Sequence, residues 1–179
     1  MQLTSVLDAM VAKHVVGSLV ATFLVATSAS AVWIRVLLAD LVRQSDAAVV
    51  AVLADVDQYT EDDIDYARGT LAVERIVFGK RLPGYVTLRW RNPSNLACPR
   101  VEHKHVVGKR ALWLLTLEES GDVRADHPSR VVPFASRRLE VALTELAEHG
   151  PSSDERIETL RKLLRKEAAA RGIEGPLEP

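Results

Sequence analysis

From Val15 to Ile34 the chain runs VVGSLVATFLVATSASAVWI without a formal charge, after Lys13 and His14 and before Arg35. The apolar centre, Val15 to Ala26, has the length of a signal-peptide core. Thr27 to Ala31 is small and polar, with Ala29 and Ala31 in A-x-A spacing. Small side chains suit that position because an extended substrate must fit two shallow peptidase pockets. The pattern predicts cleavage after Ala31 and a mature chain from Val32. An uncleaved anchor is the first alternative, since the run can span a bilayer core of about 30 Å. A buried core helix is the second, because Gly17, Ser18, Thr22, Thr27, Ser28 and Ser30 dilute the apolar character.

Arg35 to Gln44 places Val36, Leu37, Leu38, Leu41 and Val42 against Arg35, Asp40, Arg43 and Gln44, which predicts a short amphipathic helix ending at Ser45-Asp46. Ala47 to Ala54 (AAVVAVLA) is continuously apolar and rich in Val, the pattern of a fully buried strand. Asp55 to Asp65 reads as an acidic loop, with six carboxylates and no base. Arg68 to Phe78 alternates, with Leu71, Val73 and Val77 on one parity and Thr70, Glu74 and Ile76 on the other. The Gly79–Gly84 turn and Tyr85 to Trp90, with Val86, Leu88 and Trp90 inward, complete a hairpin. Arg91 to Lys109 is a long polar loop. Ala111 to Leu117 is a buried strand closed by Ser120-Gly121-Asp122, and Val123–Ala125 and Val131–Phe134 are short strands.

The pattern then turns helical. Leu139, Ala142, Leu143 and Leu146 share a face of Ser136–His149, which Gly150-Pro151 stops. Ser152-x-x-Glu155 reads as a capping box before the stripe Ile157, Leu160, Leu163 and Leu164; Gly172 to Pro179 is expected to fray. The class is mainly β (α+β), a small closed barrel of about five strands with a preceding helix and a C-terminal helical extension. The expected organisation is a signal peptide or anchor at 1–31, a β-barrel domain at 32–135 and the extension at 136–179.

Composition adds exclusions. With 23 Lys plus Arg against 24 Asp plus Glu, the net charge is −1, so a globally basic nucleic-acid binder and an acidic disordered chain are both excluded. The single cysteine, Cys98, excludes an intramolecular disulfide and any Cys-rich zinc site.

The order LLADLVRQSDAAVVAVL, GTLAVERIVFG, GYVTLRW, a Cys-bearing loop and VGKRALWLLTL resembles the bacterial relatives of the tissue inhibitors of metalloproteases. Its carriers are Leu41-Val42 before Ser45-Asp46, the strand end at Gly79, Cys98, and the Gly108 turn into Trp113-Leu114-Leu115, within Leu37 to Phe134. The resemblance implies the netrin-module OB fold, a secreted five-stranded barrel with helical additions. It also implies an inhibitory site built on an N-terminal cysteine that coordinates a protease zinc. The expected terminus here is Val32-Trp33, so that site is not carried over.

Two constellations carry candidate chemistry. Cys98, His103 and His105 share one loop, and two His at i and i+2 of an extended segment project to one side, so Zn or Cu is the metal class they fit. Solvated loop residues are the plain alternative, and Cys98 could instead form an intermolecular disulfide after export. The acidic segment lacks an EF-hand register for Ca²⁺. Between Arg75 and Arg110 stand nine bases and one acid, which predicts a basic ligand-binding face around Arg89, Arg91, Arg100 and Lys104. Pairing of those bases with the acidic segment is the alternative.

No G-x-S-x-G elbow, His-Glu-x-x-His helix or phosphate-cradling glycine loop is present, so no enzymatic activity and no cofactor are expected. The expectation is an exported, non-enzymatic binding module in the periplasm, outside the cell or anchored to the membrane through residues 15–34. Its expected partner is an envelope protein or an anionic glycan or lipid surface rather than nucleic acid. A secreted protease-inhibitor-like protein and an envelope metal-binding protein are the alternatives.

Overall fold

The continuously apolar runs of the sequence are strands covered on both faces. In the computed structural model, which describes residues 36–91 and 106–173, β1 (Ala47–Glu61) sends Ala48 and Val50 to one apolar cluster and Val49, Ala51 and Leu53 to another. Strand β4 (Arg110–Leu117) splits the same way, Leu112 and Leu114 to the first cluster and Ala111, Trp113 and Leu115 to the second. Alternation in a strand sends successive side chains to opposite faces. Ala47–Ala51 and Ala111–Leu115 therefore contain no polar residues, because neither face of these segments meets water.

The remaining elements complete the two layers. A short helix, α1 (Leu38–Arg43), precedes β1. Then come β2 (Ile64–Gly79), β3 (Tyr85–Arg91), β5 (Val123–Arg124), a 3-10 turn at Pro128–Arg130, β6 (Val131–Pro133), α2 (Ser136–His149) and α3 (Glu155–Ala169). The sheet order is β1-β2-β3-β5-β4-β6, and β1 also pairs with β4. The strands thus form a barrel-like circuit that is unevenly closed. β1 and β2 pair along almost their whole length, whereas β3 and β5 meet in parallel at one residue pair, Leu88 with Val123. Val86, Leu88, Trp90 and Trp113 fill the inside, as the alternation predicts. Leu139, Leu143, Leu146, Ile157, Leu160 and Leu164 of the two long helices cover the outer face of β1 and β4 together with α1.

Two glycines fix close approaches. Gly79 ends β2 at φ +91°, and a Cβ there would lie 2.1 Å from Asp46 O. At Gly69 a Cβ would lie 2.6 Å from Asp55 O and 2.7 Å from Leu53 Cδ1. Neither site has room for a side chain.

Three expectations are corrected. The predicted acidic loop Asp55–Asp65 is instead the end of β1, a tight turn and the start of β2, paired from Asp55↔Thr70 to Glu61↔Ile64. Its turn residues Asp62 and Asp63 have φ of 50° and 58°, the two positive values that a two-residue type I′ hairpin requires. The missing bases come from neighbouring strands, as Asp57 pairs with Arg68 and Glu61 with Arg89. Ile76 joins Leu71 and Val73 inside the circuit, while Val77 and Phe78 pack on the helical side. Register jumps between Ala48/Val49 and Val50/Ala51 leave extra residues on β2 that reverse its parity. The Ser152 capping box does not form. Pro151 starts a turn in which Asp154 N–H donates to its carbonyl, and Asp154 is the cap, its Oδ1 accepting from Arg156 N–H (3.0 Å) and Ile157 N–H (3.4 Å). Residues 1–35, with the expected signal peptide or anchor, and the tail beyond Ile173 lie outside the described residues.

Polar contacts join the helices to the sheet and to each other. Glu145 Oε1 of α2 accepts from Leu38 N–H in the first turn of α1. Arg161 of α3 donates to the carbonyls of Leu146 and Gly150, satisfying acceptors at the end of α2. On β4, Arg110 donates to Glu74 Oε2 of β2 (2.6 Å) and Glu167 Oε2 of α3 (2.9 Å), and its guanidinium lies 4.9 Å from the Phe134 ring centre.

Burial pushes the Glu167 carboxyl pKa up, but hydrogen bonds from Arg171 and Arg110 outweigh it and hold the pKa below the usual value. A depressed folded pKa gives stability that is present above the unfolded value, about 4.3, and is lost as pH falls through the folded one. Glu167→Gln is therefore expected to lower unfolding free energy by about 1 kcal/mol at pH 7. In urea titrations at pH 7, 5 and 3, the gap from wild type should close at the lowest pH.

Candidate functional site

The turn at Asp62-Asp63 determines what lies opposite what on the projecting part of β1 and β2. Its register sets Tyr59 against Tyr66 and Asp57 against Arg68, and β3 adds Arg89 opposite Arg68. The Tyr59 and Tyr66 rings stack with centroids 5.7 Å apart and planes inclined by 21°. The Arg89 guanidinium carbon lies 4.6 Å from the Tyr66 ring centre and 5.7 Å from that of Tyr59; that of Arg68 lies 5.6 Å from Tyr59. Four side chains from three strands thus form one aromatic and cationic surface. Period-2 alternation keeps it on the face opposite Ala67, Leu88 and Trp90, which point inside.

Acidic groups frame the surface. Glu61 Oε2 accepts from Arg89, and Asp57 Oδ2 accepts from Arg68 at 3.4 Å with both side chains exposed. Thr60 Oγ1 donates to Asp65 Oδ1 at 2.9 Å, and Asp55 Oδ1 accepts from Thr70 N–H at 2.9 Å. Burial lowers the Arg89 pKa, while Tyr59 and Glu61, with a further contribution from Glu118, more than offset that and raise it. Glu118 opens the turn between β4 and β5, where it accepts from Arg124 at 3.2 Å. Strands β1 and β2 and the β4–β5 turn therefore all act on one guanidinium of β3.

Of the predicted basic face, Arg89 sits in this cluster, and the backbone of Arg91 pairs with Tyr66 at the end of β3. Arg100 and Lys104, together with Cys98, His103 and His105, lie outside the described residues. The described chain leaves at Arg91 and resumes at Val106, where Gly108 N–H donates to Leu53 O at 2.8 Å. Among the described residues no three His, Cys, Asp or Glu side chains are grouped to hold a metal ion. No helix among them is long and apolar enough to cross a membrane.

Sequence reasoning missed Tyr59, Tyr66 and Arg68. The signal was present, since a two-residue turn at Asp62-Asp63 places residues equidistant from it opposite each other, which joins the tyrosines and sets Asp57 against Arg68. The density of acids hid it by reading as a loop.

No protein-family model matches the chain, and no curated protein matches it.

If the guanidinium over the tyrosines is coupled to them, Tyr66→Leu and Arg89→Met will not act additively. A double-mutant cycle by urea unfolding is expected to give a coupling of about 0.5–1 kcal/mol, with little change on raising the salt to 0.5 M.

Proposed function

We propose that the chain is an exported, non-enzymatic binding module built on an OB-like ring of the netrin-module type. Its contact surface is the Tyr59, Tyr66, Arg68 and Arg89 face. The partner class is an anionic glycan of the cell envelope. The circuit β1-β2-β3-β5-β4 and back to β1 supports the OB-like reading, because that fold is a five-stranded, partly open barrel. OB folds bind oligosaccharides and oligonucleotides on strands 2 and 3 and the loops next to them, which correspond here to β2, β3, the Asp62-Asp63 tip and the Glu118–Asp122 turn.

The observation that carries this reading is the stacked tyrosine pair with two guanidiniums over it. Sugar rings present apolar C–H faces that stack on aromatic rings, and their carboxylate or sulfate groups match a guanidinium fork. Carboxylates and arginines alternate around the tyrosines, so hydroxyl donors and acceptors also find partners. Export places such a module where envelope glycans are. An exported protein rarely meets nucleic acid, which makes the glycan the better fit.

The test is retention of the purified protein on an immobilised sulfated polysaccharide, with a neutral polysaccharide as control. Retention at 20 mM salt that is lost by 0.5 M is expected, and Arg68→Glu combined with Tyr59→Ala should weaken binding about tenfold. Passage through the column at low salt would remove the glycan reading.

A further inference from the structure

We propose a second binding site, for a small phosphate-bearing ligand, in the pocket at the opposite end of the β1–β2 hairpin. It lies where α1 ends, β1 begins, β2 leaves the sheet and α3 starts. The pocket has a volume of ≈ 390 Å³, and Arg43, Ser45, Asp46, Gly79, Lys80 and Arg156 line it. That is within the range of small-ligand sites and larger than a lone ion needs. The tyrosine surface lies at the far end of the same strands, about 45 Å away along β1 at about 3.3 Å per residue, so the two sites are separate.

The charges around the pocket do not cancel. Arg43 is balanced, with Asp40 at 2.7 Å and Asp154 at 3.7 Å. Lys80 and Arg156 form no ion pair among the described residues. Arg156 is nevertheless held in place. Its Nη1 donates to Ser45 O at 3.3 Å, and its guanidinium carbon lies 5.5 Å from the Phe78 ring centre. Behind Ser45 and outside the lining stands a further cation, Arg130, whose Nη1 donates to Ser45 Oγ at 3.0 Å and to Leu114 O at 3.4 Å, with Asp126 and Asp46 as its electrostatic counterparts. The one acid in the lining, Asp46, spends its Oδ2 on Leu117 N–H at 2.9 Å.

Two cations without an ion pair among the described residues, Lys80 just after β2 and Arg156 of α3, therefore line a concave site that holds one carboxylate, Asp46. Two cations beside a single carboxylate leave the lining with an excess of positive charge that an anion would relieve. A phosphate group suits the set, because its oxygens can accept from the Arg156 fork and from the Lys80 ammonium at different angles. The mouth of the site and its volume leave room for the organic part of a phosphate ester.

Isothermal titration of the full chain with glycerol 3-phosphate, with glycerol and with citrate tests the proposal. A parallel arm measures sedimentation with vesicles of phosphatidylcholine carrying phosphatidic acid. Saturable 1:1 binding of glycerol 3-phosphate but not glycerol is expected, weakened about tenfold or more by Lys80→Glu and unchanged by Arg68→Glu. Vesicle binding that Lys80→Glu abolishes, without binding of the soluble ester, would assign the phosphate to a lipid headgroup and uphold the site. Lys80 makes no side-chain hydrogen bond or ion pair among the described residues, so its variant should fold, and Lys80→Ala with matching melting curves provides the check. Absence of binding in both arms, stronger binding of citrate than of the phosphate ester, or equal affinity in Lys80→Glu would overturn the proposal.

Discussion

Strand β1 is apolar on both faces, and that constraint governs the rest of the fold. In a strand with one wet face, a slip of one residue exposes the core set to water, so hydrophobicity fixes the register. Here a slip would exchange Ala48 and Val50 for Val49 and Ala51, and both sets would stay buried. Something other than hydrophobicity has to set the register. Asp46 does so, immediately before the strand. Its N–H donates to Leu115 O (2.9 Å), its carbonyl accepts from Lys80 N–H (3.0 Å), and its Oδ2 accepts from Leu117 N–H (2.9 Å). One residue thus ties β1 to β2 on one side and to β4 on the other. Gly79 makes this possible, because only a residue without Cβ can pass so close to the Asp46 carbonyl. Steric size reinforces the choice, since Trp113 sits inside the circuit while Ala48 lets the helices approach from outside.

Beyond Leu53 the same strands leave the core, and the energetics change character. Residues from Ala54 to Asp63 are mostly exposed, so pairing there depends on cross-strand contacts rather than burial. The tyrosine stack, the Arg89 ion pair and the turn at Asp62-Asp63 hold that part together. A surface kept in order by aromatic stacking and partly engaged charges is suited to contact a partner with little reorganisation. The pocket at the other end is ordered differently, by the Ser45 carbonyl and the Phe78 ring face that orient Arg156 without an ion pair among the described residues. The hairpin therefore connects two polar surfaces of different chemistry.

Much of this was legible in the amino-acid order. Val86, Leu88 and Trp90 read as inward from simple alternation, and the faces of both C-terminal helices followed from their 3.6-residue period. The continuously apolar run Ala47–Ala54 and the Leu- and Trp-rich Ala111–Leu117 announced buried strands. Ile76 was misplaced because alternation assumes regular pairing, and the bulges that shift parity depend on the partner strand. The acidic segment was misread because its neutralising arginines, Arg68 and Arg89, lie 11 and 28 residues away in sequence. The cap at Asp154 lost to Ser152 on pattern alone, although Asp is as good an acceptor. The basic pocket was invisible for the same reason as the acidic pairings, since Arg43, Lys80 and Arg156 meet only when α1, β2 and α3 pack.

Native-state hydrogen exchange of Asp46→Ala measures most directly whether Asp46 sets the register of the doubly buried strand. Removing the carboxylate leaves Leu117 N–H without its acceptor, at a cost of about 1–3 kcal/mol. If the Asp46 carboxylate pins the register of β1 against β4, protection across residues 47–53 and 111–117 will fall together and by the same free energy. Loss of protection confined to Leu117, with β1 unchanged, would contradict the account and return control of the register to packing.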